Sequence, residues 1–151
     1  MSKLPGIAFI GCGFIAHAHA SALHGLIQHD LVQARLVSAC DIDVKRAEHF
    51  RDQFGFVEAT ANVAQALDNP DVSIVYICTP TRDHAALLDR AAARNHAVFC
   101  EKPLAHTHTQ AEAMLATVKR TRIPAQTGLV LRYSPVYTEM RRLLLEDTGP
   151  T

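Results

Sequence analysis

Apolar runs of strand length, separated by longer segments whose apolar residues recur every three or four positions, restrict the fold more than any other feature of this chain. The runs are Gly6–Gly11, Ala34–Cys40, Val72–Cys78, Ala97–Glu101 and Ala125–Leu131, with a short Phe56–Ala59, third in chain order, as a weaker sixth. They are continuous or nearly so, the pattern of strands covered on both faces. Between them lie Phe14–Gln28, Val44–Phe54, Val63–Leu67, Asp83–Arg94 and His108–Arg120, each with helical period. Strands alternating with helices predict βαβ units, and so an α/β fold with a doubly wound parallel sheet. Boundary residues agree with this reading. Asp43 suits the N-cap before Val44, Thr107 with Gln110 fits a capping box, and Gly55 and Asn95 stand where a left-handed residue closes a helix.

The chain has 151 residues, 48% of them apolar, enough to build a core without disulfide or metal staples. Fifteen Lys and Arg balance fifteen Asp and Glu, so the field that draws proteins to nucleic acid or anionic membranes is missing. No apolar stretch approaches the roughly 20 residues of a spanning helix. Met1 to Pro5 lacks the length and cleavage site of a secretory signal, and the expected location is cytoplasmic. Cys12, Cys40, Cys78 and Cys100 show no C-x-x-C or zinc spacing and read as reduced, buried small residues.

The first run passes directly into Gly11-Cys12-Gly13-Phe14-Ile15-Ala16, a G-x-G-x-x-A turn that opens a helix, which is the context of the dinucleotide fingerprint and of a Rossmann-type domain. Gly11 would permit the tight turn and Gly13 the close approach of a pyrophosphate. Ala16 would let helix and strand pack, and the amides at Phe14 and Ile15 would face the phosphates. Asp41 ends the second run, where an acid accepts from both ribose hydroxyls; this favours NAD, while Lys45 and Arg46 a turn later keep NADP open. Thr79-Pro80 ends the fourth run and should border the cofactor. His84 reads as a structural hydrogen-bonding residue. The fifth run delivers Glu101-Lys102-Pro103 to the same edge, where a lysine can hold a substrate hydroxyl or relay its proton; the plainer reading is a Glu101–Lys102 surface pair. Lys102–Pro103 is a candidate cis peptide.

Taken together, Gly6–Gly13, Tyr76-Ile77-Cys78-Thr79-Pro80, His84, Glu101-Lys102-Pro103 and Leu131-Arg132-Tyr133-Ser134-Pro135 resemble the N-terminal half of the Gfo/Idh/MocA oxidoreductases. The resemblance implies an NAD(P)-dependent oxidoreductase of sugars, cyclitols or related polyols. It also implies Lys102 as the catalytic lysine with Glu101 beside it, and Arg132 among the cofactor-binding residues where the chain leaves the nucleotide domain. On this basis residues 1–132 are expected to form the dinucleotide-binding domain and 133–151 an exit segment, helical over Val136–Glu146 and stopping at Gly149-Pro150-Thr151. Proteins of that family carry a second, substrate-binding domain, which this chain stops short of. Binding of NAD(P) without turnover is therefore the alternative function, and a methyltransferase the weaker one.

The histidines do not read as a metal site. His17 and His19 point about 200° apart around a helix, and His106 and His108 have no third ligand nearby. Leu23, Leu26, Leu87, Leu88 and Leu115 read as core. The apolar residues Val136, Met140, Leu143, Leu144 and Leu145 exceed what one narrow face can hide, so a homo-oligomer formed through this helix or the last strand is expected, or else a frayed tail.

Overall fold

A computed structural model describes residues 4–147. The element order is β1 (Gly6–Ile10), α1 (Phe14–Gln28), β2 (Arg35–Cys40), α2 (Val44–Phe54), β3 (Glu58–Thr60), α3 (Val63–Asp68), β4 (Ile74–Ile77), α4 (Thr81–Ala92), β5 (Ala97–Cys100), α5 (His108–Thr121) and β6 (Ala125–Thr127), then a 3-10 turn (Val130–Tyr133) and α6 (Pro135–Asp147). The strands form one sheet in the order β3-β2-β1-β4-β5-β6, every neighbouring pair parallel. This is the doubly wound arrangement the sequence pattern predicts, with the strand order reversing between β1 and β4.

Local chemistry fixes the helix ends. The Asp43 carboxylate accepts from the amides of Lys45 and Arg46, and Gly55 closes α2 at φ 77°. Thr107 accepts from the Gln110 amide, while Gln110 Oε1 reaches back to the amide of His106. Asn95 takes a left-handed conformation beyond α4.

The core has two layers. On one face Ala8, Ile10, Val75, Ile77 and Val98 pack against α3, α4 and α5. On the other, Ile7, Phe9 and Leu36 pack against Ala16 and Ala20 of α1 and Phe50 and Phe54 of α2. Among the described residues no helix is long and apolar enough to cross a membrane.

Several expectations need correction. The last strand stops at Thr127, not Leu131. Gly128 donates to the Cys100 carbonyl, Leu129 turns back onto Thr127, and the apolar residues that follow form the 3-10 turn. The fourth strand is shorter than Val72–Cys78, the third is Glu58–Thr60 rather than Phe56–Ala59, and α4 begins at Thr81, directly after Pro80. Coverage on both faces holds for β1 and β2 alone; β4 and β5 alternate between buried and half-buried. Leu87 and Leu88 are core, but Leu26 and Leu115 are exposed. Leu115 borders an open apolar cavity of about 150 Å³ beneath the short β6. The expected stop at Gly149-Pro150-Thr151 lies outside the described residues.

Candidate dinucleotide site

The C-terminal ends of β1, β2, β4 and β5 line the sheet edge at the reversal of strand order, and the residues singled out in the sequence, Arg132 excepted, lie along it. Gly11 has φ 90°, and a β-carbon on it would lie 2.8 Å from the carbonyl of Cys78 and 2.9 Å from the amide of Thr79. Only glycine satisfies both the backbone and the close passage of β4. The Gly11 amide donates to the Cys40 carbonyl at 2.7 Å, which ties the turn to the end of β2. Gly13, by contrast, has ordinary dihedrals, and a β-carbon there would meet nothing within 4 Å. Its backbone is open to an approaching group. Gly13 is the N-cap of α1 and supplies no side-chain acceptor, so the first amides of that helix face outward unpaired by any cap. Phe14 is 91% exposed at this opening, and Ala16 is fully buried between helix and sheet.

Asp41 is buried. Its Oδ2 accepts from the Cys12 amide at 2.8 Å and its Oδ1 from the Asp43 amide at 2.9 Å, with Arg46 Nη1 at 3.3 Å. The carboxylate therefore holds the glycine turn to β2, while Asp43 takes the capping duty.

Thr79 is half-buried, yet its Oγ1 is buried with no hydrogen-bond partner among the described residues. An orphaned hydroxyl beside Gly11 is what a ligand at this edge would satisfy. Pro80 is exposed. His84 is buried, with Nε2 2.9 Å from the carbonyl of Thr79 and Nδ1 3.2 Å from that of Leu104, so it braces the ends of β4 and β5, the structural duty read for it.

At the end of β5, Lys102 is exposed and its bond to Pro103 is cis, as expected. Glu101 is not half of a surface pair. It is buried, its Oε1 accepts from His19 Nε2 at 2.6 Å, and its Oε2 accepts from the Lys102 amide. His19 is the residue that sequence reasoning missed, since a separation of 82 residues leaves no local signal. His17 turns away from it, as the helix period requires, with Nδ1 on the Gly13 carbonyl and its ring against Phe50. Arg132 lies exposed in the 3-10 turn, in a groove with Tyr137 and Arg141, and no described hydrogen bond joins its side chain to the other site residues.

The four thiols ring this edge and are chemically quiet. Burial, reinforced by Asp41, pushes Cys40 up to about 11; burial, reinforced by Glu101, pushes Cys78 and Cys100 up to about 12, and Cys12 is raised too.

Residues 6–129 match the sequence model of an oxidoreductase family with an NAD-binding Rossmann fold. The chain belongs to the Gfo/Idh/MocA family. Inositol 2-dehydrogenase of Rhizobium meliloti (strain 1021) is 32% identical over 135 residues, 89% of this chain and 39% of that protein. The myo-inositol 2-dehydrogenase structure from Lactobacillus plantarum superposes with a TM-score of 0.86 at 27% identity, over 97% of this chain and 43% of that one. An oxidoreductase from Agrobacterium radiobacter, solved in complex with NAD+, L-tartaric acid and magnesium, gives 0.84 at 29%, over 96% and 41%. The chain thus spans about two fifths of these relatives, and what it shares with them is the NAD-binding domain of the family.

Proposed function

We propose that residues 1–132 are the dinucleotide-binding domain, and 133–151 the exit segment, of a dehydrogenase that moves hydride between a nicotinamide cofactor and a sugar, cyclitol or related polyol. The observation that carries this reading is Glu101-Lys102-Pro103 at the C-terminal end of β5, on the same sheet edge as the glycine turn. The inositol dehydrogenases among the relatives support the substrate class. In this reading the Gly13 backbone and the amides of Phe14 and Ile15 hold the pyrophosphate, with Gly11 and Ala16 shaping the turn. Asp41 takes the adenosine ribose, Thr79, Pro80 and Glu101 border the nicotinamide end, and Arg132 lies where the cofactor site meets the exit segment. NAD supplies the hydride acceptor when bound. The Lys102 amine, in its uncharged form, holds the hydroxyl being oxidised and accepts its proton.

A second reading is cofactor binding without turnover, which the glycine turn and Asp41 support by themselves. Fluorescence titration with NADH, followed by absorbance assay of NAD+ reduction with myo-inositol, separates the two. Binding without reduction favours the second; reduction that Lys102→Ala abolishes favours the first; no binding overturns both. NADP as an alternative cofactor, a cytoplasmic location and a homo-oligomer complete the proposal. Self-association would use the β6 edge or α6, whose described side chains are all exposed. Light scattering that finds a monomer at every concentration overturns that last part.

A further inference from the structure

The Glu101 carboxylate has two oxygens, and each has one partner among the described hydrogen bonds. Oε1 faces His19 Nε2 at 2.6 Å, and Oε2 accepts from the Lys102 amide at 2.9 Å. A carboxylate only accepts, so Nε2 carries the hydrogen. The two side chains are 16% and 6% exposed, a setting in which a bond to an ionised acceptor is short and strong. The His19 ring is itself held, edge-on to Phe99 with centroids 4.9 Å apart. Gly128 leaves room for the carboxylate: a β-carbon there would stand 2.8 Å from Oε1.

We propose that His19 is a positioning residue which, through Glu101, fixes the direction in which Lys102 leaves β5 and ties that direction to the glycine turn. The proposal rests on the reading of Lys102 as the reacting lysine and of the α1 N-terminus as the pyrophosphate site. The path is short. Gly13 caps the helix that carries His19, so a group that orders the first turn of α1 also orders the imidazole. Among the described hydrogen bonds, the one from His19 to Glu101 alone joins α1 to the end of β5. Glu101 then passes the constraint to the Lys102 amide, one peptide from the side chain that does the chemistry. A carboxylate left with a single partner in this buried spot would seek a new one, and the most available is water at the sheet edge, which would turn the Glu101–Lys102 peptide.

Amide NMR of the whole chain tests this, with the Gly13 and Lys102 resonances as separate readouts. His19→Phe keeps a ring against Phe99 and removes the donor. His19→Gln places an amide donor near the position of Nε2. Gly128→Ala leaves His19 intact and pushes the flexible end of Glu101 aside. In cofactor-free protein, His19→Phe and Gly128→Ala are expected to move the Lys102 amide resonance, and His19→Gln to restore it. When NAD+ is added, Gly13 and Lys102 are expected to shift with one midpoint in the native chain, and Lys102 to lose its response in the first two variants while Gly13 keeps its own. A Lys102 resonance unmoved by either variant, or one that His19→Gln does not restore, overturns the proposal. Should His19→Phe fail to fold, Gly128→Ala and His19→Gln decide the matter. If NAD+ shifts no amide of the native chain, the binding reading and the coupling both fall, and the cofactor-free comparison alone decides whether His19 positions Lys102.

Discussion

Strands β1 and β2 bury every residue except Arg35, whereas β4 and β5 bury only alternate ones. The cause is handedness. Right-handed crossovers place α1 and α2, which link strands laid down in one direction, on one face of the sheet. α3, α4 and α5 link strands laid down in the other direction and fall on the opposite face. The first face therefore has two helices, of which α2 lies over β2 and β3. Ile74, Tyr76, Ala97 and Phe99 remain half-covered, with the His19 ring leaning over Tyr76 and Phe99. The half of the sheet that carries the glycine turn is closed by its own helices, while the half that carries Lys102 is open on one face. The proposed dinucleotide contacts at the glycine turn ask for rigid geometry and sit in the closed half; the proposed chemistry needs access and sits in the open one.

Aromatic truncations on the two sides measure that difference most directly. Phe50 is fully buried, with Phe9, Phe54 and Phe56 around it at centroid distances of 5.6, 4.9 and 5.3 Å. Phe50→Ala should cost about 3–5 kcal/mol in urea unfolding. Phe99 stacks on Tyr76 at 4.7 Å but is half-exposed, so Phe99→Ala should cost roughly 1–2 kcal/mol. Equal losses would mean that the β4–β5 face is covered in solution.

The glycine turn gives the next largest effect and divides stability from binding. Gly11→Ala must strain a φ of 90° and drive a β-carbon against the backbone of Cys78 and Thr79, a cost of roughly 2–4 kcal/mol. Gly13→Val meets open space and should cost about 1 kcal/mol or less as an N-cap change. The same valine should block the pyrophosphate, so NADH titration should show binding lost from a folded protein. Unchanged NADH affinity in Gly13→Val would remove Gly13 from the site.

Much of this arrangement is legible in the sequence because its signals are local. The start of α1 follows from Gly13, and both ends of α2 from Asp43 and Gly55, which cap it by side chain and by backbone. The doubly wound parallel sheet follows from the alternation of periods, and the glycine turn from the G-x-G-x-x-A run that opens the first helix. Three things were not local. Gly128-Leu129-Val130-Leu131 has strand composition, but Gly128 must clear the Glu101 carboxylate, and an edge strand has no second neighbour to extend it. The exposure of Leu115 depends on how short β6 is. The His19–Glu101 contact exists only once α1 and β5 share a sheet, and no spacing within either segment announces it.

Asp41 gives the smallest expected effect and the finest division, since it lies in the closed half and serves two purposes there. It holds the Cys12 amide and the Asp43 amide, so Asp41→Ala loosens the glycine turn and should weaken both dinucleotides. The proposed ribose contact adds a further loss for NAD alone, because only NAD presents both adenosine ribose hydroxyls as donors, while a 2′-phosphate would be repelled by the native carboxylate and relieved by its removal. The difference between the two losses should therefore be about tenfold in Kd, or about 1.4 kcal/mol, against NAD. Arg46 sharpens the measurement. Its guanidinium stands 3.3 Å from Asp41 Oδ1 and 3.7 Å from Asp43 Oδ2 and is half-exposed, so once the Asp41 carboxylate is gone only the exposed Asp43 competes with a phosphate for it. Adding Arg46→Ala to Asp41→Ala should then lower NADP affinity and leave NAD where the single variant put it. Parallel titrations with NADH and NADPH decide the point: an equal loss for both in Asp41→Ala would make the residue an anchor of the turn and nothing more, and the closed half would then bind the dinucleotide without choosing between its two forms.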